Sequence, residues 1–171
     1  MCGIVAGVAE RNVVPILIEG LKRLEYRGYD SAGLAVIHAQ EIQRKRELGK
    51  VKGLEDLIAI DPILGHIGIA HTRWATHGKP STRNAHPHIS NDKVAVVHNG
   101  IIENHEQLRN ELKQQGYVFT SETDTEVIVH KIAEQLLNSE TLLEAVRRTI
   151  ASLNGAYALG VMYTETPDTL I

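Results

Sequence analysis

Cysteine and tryptophan each occur only once in the chain, as Cys2 and Trp74. A lone cysteine excludes an intrachain disulfide and agrees with a reducing compartment. Aromatic residues make up 4% of the 171 positions, so platforms for stacking bases are scarce. Acidic residues outnumber basic ones by 21 to 18, and a net charge of −3 carries no electrostatic footprint for nucleic acid. No apolar run approaches the roughly 20 residues of a membrane-spanning helix. The opening Ile4 to Ala9 has no basic region before it and soon meets Glu10 and Arg11, unlike a secretory signal. The expectation is a cytoplasmic protein with no nucleic-acid or membrane partner. With 43% hydrophobic and 23% charged residues, the chain has the makings of a sizeable core and of one domain over 1–171.

The hydrophobic pattern predicts alternating strands and helices. Cys2 to Val8 is apolar and rich in β-branched residues, which suits a buried strand. Asn12 is placed to cap a helix from about Val13 to Tyr26, with Val14, Leu17, Ile18, Leu21 and Leu24 on one face and Pro15 in the first turn. Leu34 to His38 and Ile42 to Leu48 read as a hairpin, and Val51 to Ile58 as a short helix ended by Pro62. His66 to Arg73 reads as a strand leading into a polar, irregular stretch through Asn91, and Lys93 to His98 as a strand ending at Asn99-Gly100. Helices are expected over Glu103 to Gln115, from Thr123 to Leu137 with a capping box between Thr123 and Glu126, and from Leu142 to Leu153 with Leu143, Val146, Ile150 and Leu153 inward. Tyr117 to Phe119, Ala156 to Tyr163 and Thr169 to Ile171 complete the candidate strands. This order points to an α/β domain of layered sheets and helices.

Cys2 stands where removal of Met1 would leave thiol and α-amine on one carbon. A thiol with a pKa of roughly 8.5 needs a proton acceptor, and an α-amine at roughly 7.7 to 8.0 is partly neutral at pH 7. The terminus could therefore supply both nucleophile and base, as N-terminal threonine enzymes do; a buried structural cysteine is the plain alternative. Asn99-Gly100 could aim a side-chain amide and a backbone N–H at a developing oxyanion, or simply form a hairpin turn. Arg73 could clamp a carboxylate or lie on the surface, and Asp124 could hold an ammonium or only stabilise a helix start. Six of the nine histidines fall between His66 and His98. Their spacing matches no metal-ligand motif, so the expectation is structural histidines, with neither metal nor cofactor.

Five stretches in order, Met1-Cys2-Gly3-Ile4-Val5, Leu24 to Gly33, His71 to Gly78, His98 to Asn104 and Ser121 to Val127, resemble the glutaminase domain of the glucosamine-6-phosphate synthases, which are class II glutamine amidotransferases. The resemblance covers nearly the whole chain. It implies an N-terminal-nucleophile fold, a four-layer αββα sandwich of antiparallel sheets, and hydrolysis of L-glutamine to glutamate and ammonia through a γ-glutamyl thioester on Cys2. It also implies an oxyanion hole of Asn99 and Gly100, and a substrate carboxylate held by Arg73, Thr76 and His77. Asp124 and the Gly100 carbonyl would hold the α-ammonium. Trp74 would belong to a loop over the substrate, Arg27 to the loop beside the nucleophile, and His86 would support the lid.

In this family the glutaminase domain continues past residue 171 and is joined to synthase domains that bind fructose 6-phosphate, in an enzyme expected to be a homo-oligomer. The resemblance therefore implies a domain truncated at its C-terminus, of marginal stability and reduced activity. An amidophosphoribosyltransferase-like glutaminase is the nearest alternative. It shares the opening and the Arg27 to Ser31 pattern but fits Trp74 to His77 and Ile101 to Asn104 less well. A non-catalytic glutamine-binding module is the other alternative.

Overall fold

The computed structural model describes residues 2–28, 30–74 and 79–171. The chain runs β1 (Gly3–Val8), α1 (Val14–Leu24), β2 (Ser31–His38), β3 (Glu41–Leu48), α2 (Val51–Ile60), β4 (Ile67–Arg73), β5 (His88–Ser90), β6 (Val94–Ile102), α3 (His105–Gln114), α4 (Asp124–Leu136), α5 (Leu142–Ser152) and β7 (Gly155–Tyr163). Among the described residues the strands form two antiparallel sheets, one ordered β1-β4-β2-β3 and the other β5-β6-β7.

Strand alternation sorts the apolar residues into three packed layers. Ala35 and Ile37 of β2, Ile67 and Ile69 of β4, Ala95 and Val97 of β6 and Met162 of β7 meet between the sheets. The opposite face of the first sheet, with Ala32, Leu34, Val36 and Ala70, packs on Val14, Leu17, Ile18 and Leu21 of α1 and on Val51 and Leu54 of α2. Val94, Val96 and Val161 turn the other way onto α3, α4 and α5. The result is the expected αββα order of layers, produced by the two-residue period of strands buried on both faces.

Several local expectations are corrected. Strand β6 does not end at Asn99-Gly100; it continues to Ile102 with Asn99 opposite Ala158 and Gly100 opposite Tyr157, because Ile102 is wholly buried on the helical side. The polar stretch before Asn91 contains a strand, β5, and a 3₁₀ turn at Thr82–Asn84. Tyr117 to Phe119 forms no strand. Its rings lie 5.1 and 4.8 Å from that of His130, Arg109 covers Phe119, and the Arg109 guanidinium donates to the carbonyls of Ser121 and Thr123. The capping box at Thr123 is also not made. Glu126 instead accepts from the N–H and hydroxyl groups of both Thr120 and Ser121 at 2.6–2.8 Å. In α5 the inward residues are Leu142, Ala145, Val146 and Thr149, while Leu143 and Ile150 are exposed. A helical period fits both stripes, and packing against α4 selects one.

Candidate active site

Four chain segments converge on a cleft of about 600 Å³ at one end of the space between the sheets. Cys2 precedes β1, Arg73 and Trp74 end β4, Asn99 to Ile101 lie in β6, and Thr123 and Asp124 open α4; Arg27, His86 and His98 complete the lining. Both sheets contribute because β4 and β6 carry polar residues beyond their apolar stretches. Ile67 and Ile69 face the second sheet, so the same alternation turns His71 and Arg73 toward it.

Cys2 is half-buried, and its Sγ accepts from the Trp74 N–H at 3.3 Å while lying 3.6 Å from the Trp74 carbonyl oxygen. The exposed Trp74 side chain rests against Gly28. On the other side Asn99 Nδ2 donates to the Cys2 carbonyl at 3.2 Å, and Asn99 Oδ1 sits 2.8 Å from His71 Nε2. Gly100 adopts φ +129, and a Cβ there would fall 2.2 Å from the Ala156 carbonyl oxygen, so only glycine suits this place in the strand.

Two buried charged residues, Arg73 and Asp124, line the cleft. Arg73 is 4% exposed, with Nη1 at 3.9 Å from Asp30 Oδ1. Asp124, 5% exposed, accepts from the Ile102 N–H at 3.0 Å and lies 3.8 Å from His98 Nδ1, which also contacts Thr125 Oγ1 at 2.9 Å.

Histidine rings cluster at the cleft wall and in the interior behind it, tilted or edge-on to one another. His86 is 4.2 Å from His71 and 5.0 Å from His88 between ring centroids, and His88 Nε2 is 3.0 Å from Thr123 Oγ1. Burial lowers the His71 pKa to about 3 against the opposing hydrogen bond to Asn99. Burial first, then neighbouring cationic groups, hold His86 and His88 well below the usual imidazole value. These are neutral rings at physiological pH. Among the described residues no group of three or more His, Cys, Asp or Glu is arranged to hold a metal ion, and no helix is long and apolar enough to cross a membrane.

The segment carrying His86 is pinned by the edge strand β3. Arg46 Nη1 donates to the carbonyls of Arg83 and Ala85, and Arg44 Nη1 to that of Pro87. Gly33 admits it, because a Cβ there would stand 2.1 Å from the His86 carbonyl oxygen.

Of the residues singled out in the sequence, Cys2, Asn99, Gly100, Arg73, Trp74, Asp124, Arg27 and His86 meet at this cleft. Thr76 and His77 lie outside the described residues. Sequence reasoning passed over His71 as a functional residue. The available signal was its place two residues before Arg73 on the same strand face.

A family described as "Glutamine amidotransferase domain" matches residues 71–171. Glutamine–fructose-6-phosphate aminotransferase (isomerizing) of Acinetobacter baylyi is 61% identical over 171 residues, which is all of this chain and 28% of that protein. Among solved structures, the glutamine phosphoribosylpyrophosphate amidotransferase of B. subtilis complexed with ADP and GMP superposes with a TM-score of 0.79 at 28% identity, over 95% of this chain and 35% of its own. A structure described as the allosteric regulatory enzyme of purine biosynthesis gives 0.81 at 27% identity, over 96% and 36%.

Proposed function

Because the chain belongs to the glutamine amidotransferase domain family, we propose that it hydrolyses the side-chain amide of L-glutamine, with Cys2 as nucleophile. The observation that carries the reading is the cleft lined together by Cys2, Asn99 and Gly100 and by a buried arginine and a buried aspartate. Glutamine has a carboxylate and an ammonium on one carbon and the reactive amide three bonds further along. Arg73, completed by Thr76 and His77, takes the carboxylate, and Asp124 with the Gly100 carbonyl takes the ammonium. Fixing that head aligns the distal amide with the thiol, and such positioning can lower a barrier by about 7 to 11 kcal/mol.

With Met1 removed, the Cys2 amine accepts the thiol proton as Sγ attacks the amide carbon. The carbonyl π electrons move to oxygen, where Asn99 Nδ2–H and the Gly100 N–H receive the charge. Collapse breaks the C–N bond, and the amine returns its proton to the departing nitrogen, so ammonia leaves and a γ-glutamyl thioester remains. Water then attacks the thioester, gives a proton to the same amine, and the thiolate leaves with that proton as glutamate is released. Trp74 and Arg27 border the substrate at the mouth, and His86 lies beneath.

The chain spans 28% of the length of the Acinetobacter relative. We propose that the ammonia serves a synthase region binding fructose 6-phosphate, in a cytoplasmic homo-oligomer. The 61% identity to the sugar aminotransferase, against 28% to the phosphoribosyl enzyme, favours that reading over the alternative. The test is a glutamine-mimicking electrophile followed by intact-mass analysis and peptide mapping. Loss of Met1 and one adduct on Cys2, absent in Cys2→Ala, is expected; glutamine binding with Met1 retained and no adduct would mark a non-catalytic module.

A further inference from the structure

We infer that His71 is a positioning residue for this reaction: its Nε2–H holds Asn99 Oδ1, so that the side-chain amide keeps Nδ2 turned toward the oxyanion beside Cys2. The inference rests on the assignment of Asn99 to the oxyanion hole.

Two contacts of the Asn99 amide orient it and place a proton on His71 Nε2. Asn99 Nδ2 lies 3.2 Å from the Cys2 carbonyl oxygen, which can only accept, so the NH₂ end of the amide must face Cys2. The Oδ1 end then faces His71 Nε2 at 2.8 Å, and because Oδ1 also only accepts, Nε2 must carry a proton. His71 is 1% exposed and its pKa lies near 3, so the ring is neutral and Nδ1 keeps its lone pair. His86 Nδ1 stands 3.1 Å from His71 Nδ1 and 3.2 Å from Nε2. Near-equal distances to both nitrogens place His86 Nδ1 over the His71 ring, so His86 packs against the ring without fixing its tautomer.

This arrangement serves the reaction in two ways. Turning the amide over would set Oδ1 against the Cys2 carbonyl and Nδ2 against an N–H, so the flipped form, which would present an oxygen to a negative oxygen, is disfavoured. Donation to Oδ1 also draws density from the amide and makes Nδ2–H a stronger donor. His71 touches neither the substrate nor the reacting atoms, and acts through Asn99.

Two substitutions in the native polypeptide separate this role from packing. His71→Gln places an amide nitrogen near the imidazole Nε2, whereas the shorter amide of His71→Asn falls near Nδ1 and does not reach Asn99. His71→Asn should lower kcat for glutamine hydrolysis about tenfold to a hundredfold with KM little changed, and His71→Gln should recover most of the loss. In an Asn99→Ala background, His71→Asn should cause little further loss. Equal impairment of both variants, or a full additional loss in the Asn99→Ala background, overturns the inference. An Asn99→Ala enzyme with undiminished kcat instead removes the oxyanion assignment beneath it. Should His71→Asn fail to fold, nitrogen-15 NMR of the wild type decides: an Nε2–H tautomer that does not titrate from roughly pH 5.5 to 8.5 supports the inference, and an Nδ1–H or titrating ring overturns it.

Discussion

Gly100→Ala probes the backbone that carries the proposed oxyanion donors. At φ +129 an L side chain costs about 1–2 kcal/mol. The added Cβ would also stand 2.2 Å from Ala156 O, 2.7 Å from Tyr157 Cα and 2.8 Å from Tyr157 Cβ. These atoms belong to β7, whose pairing with β6 extends from Val94 to Ile102, so none is the free end of a flexible side chain. Forcing a methyl into such packing adds about 1–3 kcal/mol. The sum is about 2–5 kcal/mol, or roughly 4–20 °C in Tm for a chain of this size. Gly116→Ala is the control, since Gly116 has φ +92 and its Cβ would meet nothing within 4 Å. It should lose only the backbone part, about 1–2 kcal/mol. Urea unfolding of both variants, compared at equal m-value, measures the difference, and glutamine hydrolysis supplies the second readout. Gly100→Ala should lose kcat by about a hundredfold as β7 displaces Asn99, while Gly116→Ala retains it. Equal destabilisation of the two variants, or wild-type turnover in Gly100→Ala, would refute the argument.

Two further outcomes follow from the buried ionisable groups. His71, His86 and His88 stay neutral in the fold, with pKa values pushed down chiefly by burial, whereas an unfolded chain takes up protons below about pH 6.5. Their contribution is complete above that pH and is lost as pH falls toward His71's folded value of about 3. Each ring adds about 1.4 kcal/mol per pH unit, so urea midpoints should drop between pH 7 and pH 5; unchanged midpoints would contradict the burial argument. Burial pushes the Glu126 carboxyl up, but its bonds from Ser121 and Thr120 outweigh this and leave its pKa below the usual value. Its contribution is therefore present above about pH 4.3 and lost as pH falls through the folded value. Glu126→Gln should cost about 2–4 kcal/mol near neutral pH and flatten that acid limb, and a variant as stable as wild type would exclude the network's proposed strength.

Most elements were legible because their residues are buried in a regular period. The stripe of Val14, Leu17, Ile18 and Leu21 and the β-branched runs of β4 and β6 each have one packing solution, whereas β1, expected as a buried strand, lies at the sheet edge with Val8 exposed. Where two periods fit equally, as in α5, the sequence was ambiguous and α4 chose the face. Asn99-Gly100 misled because a dipeptide common in turns occupies a strand interior, held there by Ile102 and by pairing with β7. Thr123 to Glu126 misled because the N–H and hydroxyl groups of Thr120 and Ser121 converge on the Glu126 carboxylate.

The sequence by itself determined the layered α/β class, and its resemblance to a known family pointed to Cys2, Gly100, Arg73 and Asp124 as site residues. These are written in residue type and order along the chain. Only the tertiary structure decided that His71, two residues before Arg73, would meet Asn99 from the opposite sheet, and that Asp124 would accept from Ile102. Those contacts join residues 28 and 22 positions apart. Local propensity carries no information at that range; the packing of two sheets against each other supplies it.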